Sequence, residues 1–468
     1  MQVFRSFKEH RSFALRVALF VFLLASCLII LSLILTPKEF INSGYPGTSA
    51  MLGFYDLPED SLDVLILGSS HAITGVDTQK LYDDHGYKSY TLGCSEQNIA
   101  VSYFYLKEAL KTQHPKAVIL ETLMAFPFRD DKILYSSAAS SEKALNYMKP
   151  GVNRLRAVYE ISKYDSELDP LSMLLHFLRY HERWDNLSEK DLLIFDDYAY
   201  LTLHGYNVKY GNLLKEEQKY HPFDKDSGRT GELSPVIRGY LSRIVDLCRK
   251  NNMELILLKT PSNRTGANEF QTMSAFAEEN SLYYLDLNEA EAYGKIGFDY
   301  KNDMGNVGHV NFTGAQKIAD RIGEVLKESG VTPGSPDRDW EETEGLYKIC
   351  RENFMISIED SKDEYLSMAE NRRYSLFIVT RGEEGDSVYL RCDHKEVLYR
   401  DGTPVTGTLP GSQKEYEAYS NEEGMSVMID GDEKITGDKK WYAVIYDEVL
   451  RDAFDVVYSD EDGRLTHI

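Results

Sequence analysis

The sequence predicts an α/β fold, a three-layer arrangement with a parallel sheet between helices. It adds a helical insertion, an N-terminal transmembrane helix and a small β-rich C-terminal region. Three observations carry that expectation. Short apolar runs alternate with helix-like segments between Leu62 and Ser329, the pattern of strands joined by crossover helices. A single long apolar stretch stands near the N-terminus. Past Trp340 the alternation gives way to β-type runs between Gly and Asp clusters. At 468 residues the chain is too long for one ordinary core, so more than one folded unit is expected.

Val17 to Leu35 is apolar except for Ser26, Cys27 and Ser32, about the length that crosses a bilayer as a helix. Arg5, Lys8, Arg11 and Arg16 precede it, and only Lys38 follows closely. That asymmetry keeps the N-terminus in the cytoplasm and sends everything after Thr36 outward. Leu24-Ala25-Ser26-Cys27 matches a lipoprotein cleavage box. The apolar residues nevertheless continue to Leu35, so residues 1–36 are expected to be a retained tail and anchor. Residues 37–60, punctuated by Gly and Pro, read as a juxtamembrane linker.

Leu62 to Leu67 is the first expected strand. Asp77 is placed to cap a helix that Gly86 ends. Tyr87 to Leu92 is the second strand, Asn98 to Thr112 a helix and Ala117 to Glu121 the third strand. Residues 138–228 break the alternation with aromatic-rich helical segments, expected as an insertion over the sheet's C-terminal edge. A helix at Pro235–Lys250, a strand at Glu254–Lys259 and a helix at Ala267–Asn280 follow. A last strand at Leu282–Leu287 and a closing helix at Thr313–Ser329 complete the domain at 61–330. The runs Leu255–Leu258 and Val118–Ile119 suit strands covered on both faces. Pro333, Gly334 and Pro336 mark a linker. In the accessory region 340–468, a helical stretch to Asn371 precedes strands at Tyr374–Thr380, Val388–Cys392 and Trp441–Tyr446.

The formal net charge of −23 argues against a nucleic-acid partner, because phosphate binding needs a basic face. Five cysteines show no short metal-ligand pairing, and no disulfide framework is expected of so large a chain; nothing in the spacing of Cys350 and Cys392 supports a bridge. The histidines form no helical metal pair either, so neither metal nor cofactor is expected.

Gly68-Ser69-Ser70-His71 follows the first strand. A strand-to-helix elbow exposes a hydroxyl and aims backbone N–H groups at the same point. Far downstream, Asn306-Val307-Gly308-His309-Val310-Asn311-Phe312-Thr313-Gly314 leads into the closing helix. Thr313 is placed to cap that helix and Asn311 to fix the loop. A histidine held there is positioned to meet Ser70, which points to nucleophilic acyl chemistry with serine as attacker and histidine as base.

On these residues the chain resembles the SGNH hydrolase superfamily, also called GDSL-like. The Gly-Ser-Ser variant is similar to the SGNH-like proteins of teichoic-acid D-alanylation and exopolysaccharide acylation. The resemblance spans Asp63 to Ser329 and implies a flavodoxin-like sheet with Ser70 as nucleophile. Tyr90 to Asn98 matches the second block, whose Gly93 would supply a backbone donor to the oxyanion beside the Ser70 N–H. The last block, Asp-x-x-His, matches in His309 only. Asn306 stands where the carboxylate is usual, and Asp303 is the substitute if the loop folds back. The Gly-x-Asn-Asp block is absent, since Thr122-Leu123-Met124 follows the third strand. Gln97 or Asn98 is therefore expected to complete the oxyanion hole, where one donor is worth about 2.7–4 kcal/mol. Tyr365-Leu366, Tyr374–Val379 and Trp441–Tyr446 resemble the interleukin-like EMT-inducer type of domain, which implies carbohydrate binding or another interaction role.

Glu121 and Lys259 end strands at the edge where α/β proteins bind ligands, and Arg183 lies in a basic, aromatic stretch with His176, Arg179, His181 and Trp184. All three are substrate-binding expectations beside the structural alternatives of loop cap, solvated lysine and packed helix face. The expected activity is a membrane-anchored, extracytoplasmic serine esterase or O-acyltransferase acting on a cell-surface glycan or wall polymer. Two other readings remain: a catalytically silent binding or assembly protein of the cell envelope, and a partner of a membrane acyltransferase.

Overall fold

The structure, a computed structural model, describes residues 2–36, 51–127, 131–187, 189–192, 203–209, 222–264, 266–338, 340, 343, 352, 355–359, 361–369, 374–382, 385–392, 395–400, 402–435, 437, 439–448, 451–460 and 463–468. Five parallel strands form the central sheet: β1 (Val64–Gly68), β2 (Ser89–Gly93), β3 (Ala117–Glu121), β4 (Glu254–Lys259) and β5 (Tyr283–Asp286). Their order is β2-β1-β3-β4-β5. The chain therefore leaves β1 in one direction to reach β2, and β3 adds on β1's other side. That divergence opens a crevice at the carboxyl end of β1, where α/β proteins place ligands.

Alternation along each strand sets the three layers. Leu65, Leu67, Val118, Leu120, Leu255 and Leu257 enter one core. Val64, Ile66, Ala117, Ile119, Ile256 and Leu258 enter the other. Helices Ile99–Ala109 and Pro235–Lys250 cover the first face, while Thr78–His85 and Phe312–Glu328 cover the second. Local chemistry starts these helices, at Asp77 as expected and at Asn98 as an addition. Asp77 Oδ1 accepts the Lys80 N–H at 3.0 Å, and Asn98 Oδ1 accepts the Val101 N–H at 2.9 Å. One cap differs: Asn311, rather than Thr313, caps the closing helix by accepting the Gly314 N–H at 3.1 Å.

The described helices of the insertion pack sideways more than they roof the sheet. Helices Ala138–Asn146 and Val152–Ser162 put Ala144, Leu145, Ala157, Val158 and Ile161 into the same core as Phe104. Asn153 fastens this layer by donating to the Phe104 carbonyl at 2.9 Å. A short segment, Leu203–Lys209, does reach the carboxyl edge: the Asn207 N–H donates to the Ile73 carbonyl at 2.6 Å, and the Phe312 N–H donates to Lys209 at 2.8 Å. Within the stretch read as linker, Met51 and Phe54 are buried, and the Phe54 ring packs edge-on against Tyr90.

The C-terminal region is antiparallel β structure. A six-stranded sheet containing Tyr374–Thr380, Ser387–Cys392 and Trp441–Asp447 faces a four-stranded sheet containing Glu415–Asn421 and Gly424–Ile429. Phe377, Val379, Ala418, Val427 and Val444 fill the space between them. Leu376, Ala443 and Ile445, on alternate positions, turn to the core that also holds Ile318 and Ile322. At the other end of the chain, Gln2–Leu35 is one helix whose Phe13–Leu35 portion, 23 residues, is long and apolar enough to cross a membrane. Cys27, Cys94 and Cys248 are free thiols, while Cys350 lies outside the described residues.

Candidate active site

β1 ends at Gly68, and the chain turns at once into the short helix Ser70–Gly75. Gly68 has φ +153°, and a side chain there would stand 2.7 Å from Glu121 Cβ and 3.0 Å from Ala72 Cβ. Only glycine fits this turn. Of the two serines that follow, one is structural. Ser69 is buried and caps the helix: its hydroxyl accepts the His71 N–H at 3.3 Å and donates to Glu121 Oε2 at 3.0 Å. Ser70 comes next, on the first helical turn, and remains partly open to solvent.

The hydroxyl of Ser70 lies 2.8 Å from His309 Nε2, across 239 residues of sequence. His309 sits on a small ribbon, Met304–Asn306 paired with His309–Val310. Asn306 builds the turn between its strands. The Asn306 Oδ1 accepts the N–H groups of Gly308 and His309, each at 3.0 Å, and lies 3.0 Å from His309 Nδ1. Two backbone donors identify that atom as the amide oxygen, so Nδ1 must carry the proton it receives. Nε2 is then left with its lone pair facing the Ser70 O–H. Burial, reinforced by the positive charges of Lys209, Arg264 and Lys259, pushes the His309 imidazole from its ordinary 6.5 down to about 4. At neutral pH the ring is unprotonated, the state a general base requires.

A second imidazole flanks the first. His71 is fully buried with Nδ1 3.3 Å from Thr260 Oγ, and its ring centroid is 5.0 Å from that of His309. Burial, then the charges of Lys259, His309 and Arg264, hold it well below the ordinary histidine range. Gly93 closes the other side. It ends β2 opposite Gly68, and an added Cβ would meet the Gly68 carbonyl oxygen at 2.4 Å. Gly93→Ala is accordingly expected to displace the elbow, lowering stability by about 1–3 kcal/mol as overpacking does, read as a lower denaturant midpoint.

Several expected site residues prove to have other duties. Asp303 does not orient His309. It is buried, and its carboxylate accepts the Asp299 N–H at 2.6 Å, the Lys317 ammonium at 2.7 Å and the Thr313 hydroxyl at 2.9 Å. It clamps the loop from below while Asn306 meets the ring. Gln97 and Asn98 offer no side-chain donor to an oxyanion. Gln97 Nε2 donates to the Leu92 carbonyl and Ser102, and Asn98 Nδ2 donates to Ser136 at 2.7 Å and Ser141 at 3.1 Å. Glu121 and Lys259 are buried beneath the elbow, each about 1% exposed, and cannot touch a substrate. Glu121 Oε1 accepts the Leu123 N–H at 2.9 Å and lies 3.8 Å from the Lys259 ammonium, which donates to the Thr260 carbonyl at 2.8 Å. Arg183 pairs with Asp191 at 3.1 Å and donates to the Leu35 carbonyl, on the N-terminal helix.

Two residues beside the site escaped the sequence reading. Lys209 crosses Gly305, 3.5 Å from where a Cβ would stand, and Arg264 follows β4. Both add positive charge around His309. Neither stands in a motif, because each is brought in by a loop whose position only the fold determines.

No family model matches the chain, and no curated protein matches it either. Among solved structures, one similar to it is a crystal structure from Bacteroides fragilis NCTC 9343 described as that of a proposed acylhydrolase. That likeness has 12% sequence identity, covers 63% of this chain and 99% of the other, and has a TM-score of 0.28. At that score the likeness adds nothing to the geometry.

Proposed function

We propose that this chain is a serine esterase or O-acyltransferase of the SGNH type, held at a membrane by its N-terminal helix. Its substrates would be acyl esters on a cell-surface glycan or wall polymer. The observation that carries the reading is the 2.8 Å contact between Ser70 Oγ and His309 Nε2, within the reach a nucleophile and its base need. Ser70 Oγ attacks the ester carbonyl as its proton passes to His309 Nε2. Asn306 keeps Nδ1–H oriented and accepts from the imidazolium, with less stabilisation than a carboxylate would give. Backbone N–H groups of Ser70 and Gly93 receive the oxyanion. His309 then returns the proton to the leaving alcohol, and the acyl-serine is released to water or to a sugar hydroxyl, with His309 acting again as base.

The test is turnover of p-nitrophenyl acetate by the full-length protein, with intact mass measured after rapid acid quench. The reading predicts release of p-nitrophenol and a trapped acetyl group on the peptide containing Ser70. Background hydrolysis alone, with no acyl adduct, defeats it. One observation favours a second reading, that of an envelope binding or assembly protein without catalysis. With Gln97 and Asn98 both engaged, the oxyanion has only backbone donors among the described residues considered for it. In that reading the β-rich C-terminal region would carry the glycan contact, and a glycan array would register binding equally well with Ser70→Ala.

The pH profile adds an independent check. With the His309 imidazole pushed down to about 4, kcat/KM should hold from neutrality downward and fall only as pH drops through that value. Asn306→Asp keeps an acceptor for all three N–H groups and adds negative charge beside Nδ1. The acid limb should therefore move up, towards the ordinary 6.5. A wild-type limb already near neutrality, or one that Asn306→Asp leaves in place, contradicts His309 as the base.

A further inference from the structure

The N-terminal helix is bare over Phe13 to Ala25, where every residue is exposed, but not beyond. In its last turns Leu28, Ser32 and Leu35 lie on a covered side, and Leu35 is only 4% exposed. What covers them is the stretch of insertion formed by helix His176–Tyr180 and the 3₁₀ turn His181–Asp185. Hydrogen bonds fasten the two together. The Phe177 N–H donates to Ser32 Oγ at 3.0 Å, Thr36 Oγ meets His176 Nδ1 at 2.9 Å, and the Arg183 guanidinium donates to the Leu35 carbonyl.

Depth follows from helix geometry. Ser32 lies three residues before the end of the 23-residue apolar stretch, about 4.5 Å along the axis, and Leu28 lies about 10 Å along it. The stretch itself is about 34 Å long at that rise, close to the roughly 30 Å of a bilayer's hydrocarbon. Chain bonded to Ser32 therefore cannot stand wholly above the lipid. Its composition agrees with that position. Leu171, Leu175, Leu178, Trp184 and Leu187 are 62%, 46%, 44%, 73% and 38% exposed. The two arginines do not offer bare charge, since Arg179 pairs with Glu142 and Arg183 with Asp191. An exposed tryptophan beside leucines, at the end of an apolar span, matches the side chains that settle at a membrane–water boundary.

We propose that residues 171–187 are a second membrane contact, a re-entrant platform that lies in the outer boundary of the bilayer with Trp184 and its neighbouring leucines among the lipids. The proposal rests on reading Phe13–Leu35 as a span. The platform continues into the helical layer over the sheet, through contacts such as Arg154 donating to the Met173 carbonyl at 2.7 Å and to His176 Nε2 at 2.8 Å. The α/β domain is thus held against the membrane at two points and cannot swivel freely about the helix.

The experiment uses the full-length protein in phosphatidylcholine vesicles, with tryptophan emission quenched by lipids brominated at shallow or deep positions. Shallow bromines should quench the wild type, and Trp184→Phe should remove that quenched fraction, leaving the emission of Trp340 and Trp441. Quenching unchanged by Trp184→Phe overturns the proposal. A companion variant, Phe22→Trp in the Trp184→Phe background, separates this failure from that of the span. Deep quenching there with none at Trp184 leaves the anchor standing and removes the platform. No quenching at either position removes both. Trp184 is largely exposed, so its replacement leaves the fold intact, which near-UV circular dichroism will verify.

Discussion

Ser70→Ala should reduce ester turnover by about three to six orders of magnitude, the range seen when a hydroxyl nucleophile is removed from a working pair. The fold should survive, because Ser70 is partly exposed and a change of this size at such a position is worth within about 0.5 kcal/mol. His309→Ala should cost a comparable factor. The double variant should be no worse than either single one, because the two groups act as a unit. Ser69→Ala supplies the control that the doubled serine invites. Ser69 bonds to Glu121 and caps the helix, so its loss should cost about 1 kcal/mol of stability while acyl transfer persists. Stopped-flow release of p-nitrophenol, followed by unfolding in urea, measures both quantities on the same samples. Full activity in Ser70→Ala would remove the proposed chemistry.

Glu121→Ala should be the most destabilising of the substitutions considered, at about 3 kcal/mol, the lower end for breaking a buried ion pair. Two effects combine. The Leu123 N–H and the Ser69 hydroxyl lose their acceptor, and the Lys259 ammonium, 1% exposed, loses its nearest carboxylate. Asp286 still acts on Lys259, which keeps the estimate low in that range. Burial pushes the Glu121 carboxyl up and the Lys259 ammonium down, and their mutual attraction opposes both shifts. Glu121→Gln keeps one acceptor oxygen for the Leu123 N–H and turns an amide N–H2 towards the Ser69 oxygen, so it should recover part of the loss, more so when combined with Lys259→Met. Urea midpoints rank the four proteins. A drop in substrate affinity at unchanged stability would instead restore Glu121 to the substrate, contrary to its burial.

Much of the molecule was legible before any coordinates. β3, β4 and the helix Pro235–Lys250 fall where the sequence pattern places them. The cap Asp77 reads directly, as a short polar side chain before a helical run, while Asn98, read as an oxyanion donor, proves to be the cap of its helix. The Ser70–His309 pair was legible as well, through a strand-end serine and a loop histidine ahead of a helix. What the sequence left open was which polar group faces which. Asp303, a carboxylate at the wrong spacing, and Asn306, an amide at the right one, are both candidates until the ribbon's turn uses Asn306 Oδ1 to collect three N–H groups. Gln97 and Asn98 look like oxyanion donors until Ser102, Ser136 and Ser141 take up their amides. Such choices depend on contacts between residues far apart in the chain, and periodicity carries no information about them. Arg183 shows the same limit, since its partner Leu35 is 148 residues away.

Under the proposed function, the separation of 239 residues between Ser70 and His309 has a consequence for biogenesis. His309 is presented by a ribbon whose far side is tied to the closing helix, through the Asn311 cap and the Asp303 clamp on Lys317. A nascent chain emerging N-terminus first exposes its serine early, but without a base to activate it. On that reading the hydroxyl stays chemically dormant through most of synthesis, and it becomes competent only when the last helix of the α/β domain has docked. A product truncated or stalled before His309 should therefore be inert towards acyl esters, a safeguard that the order of synthesis alone supplies.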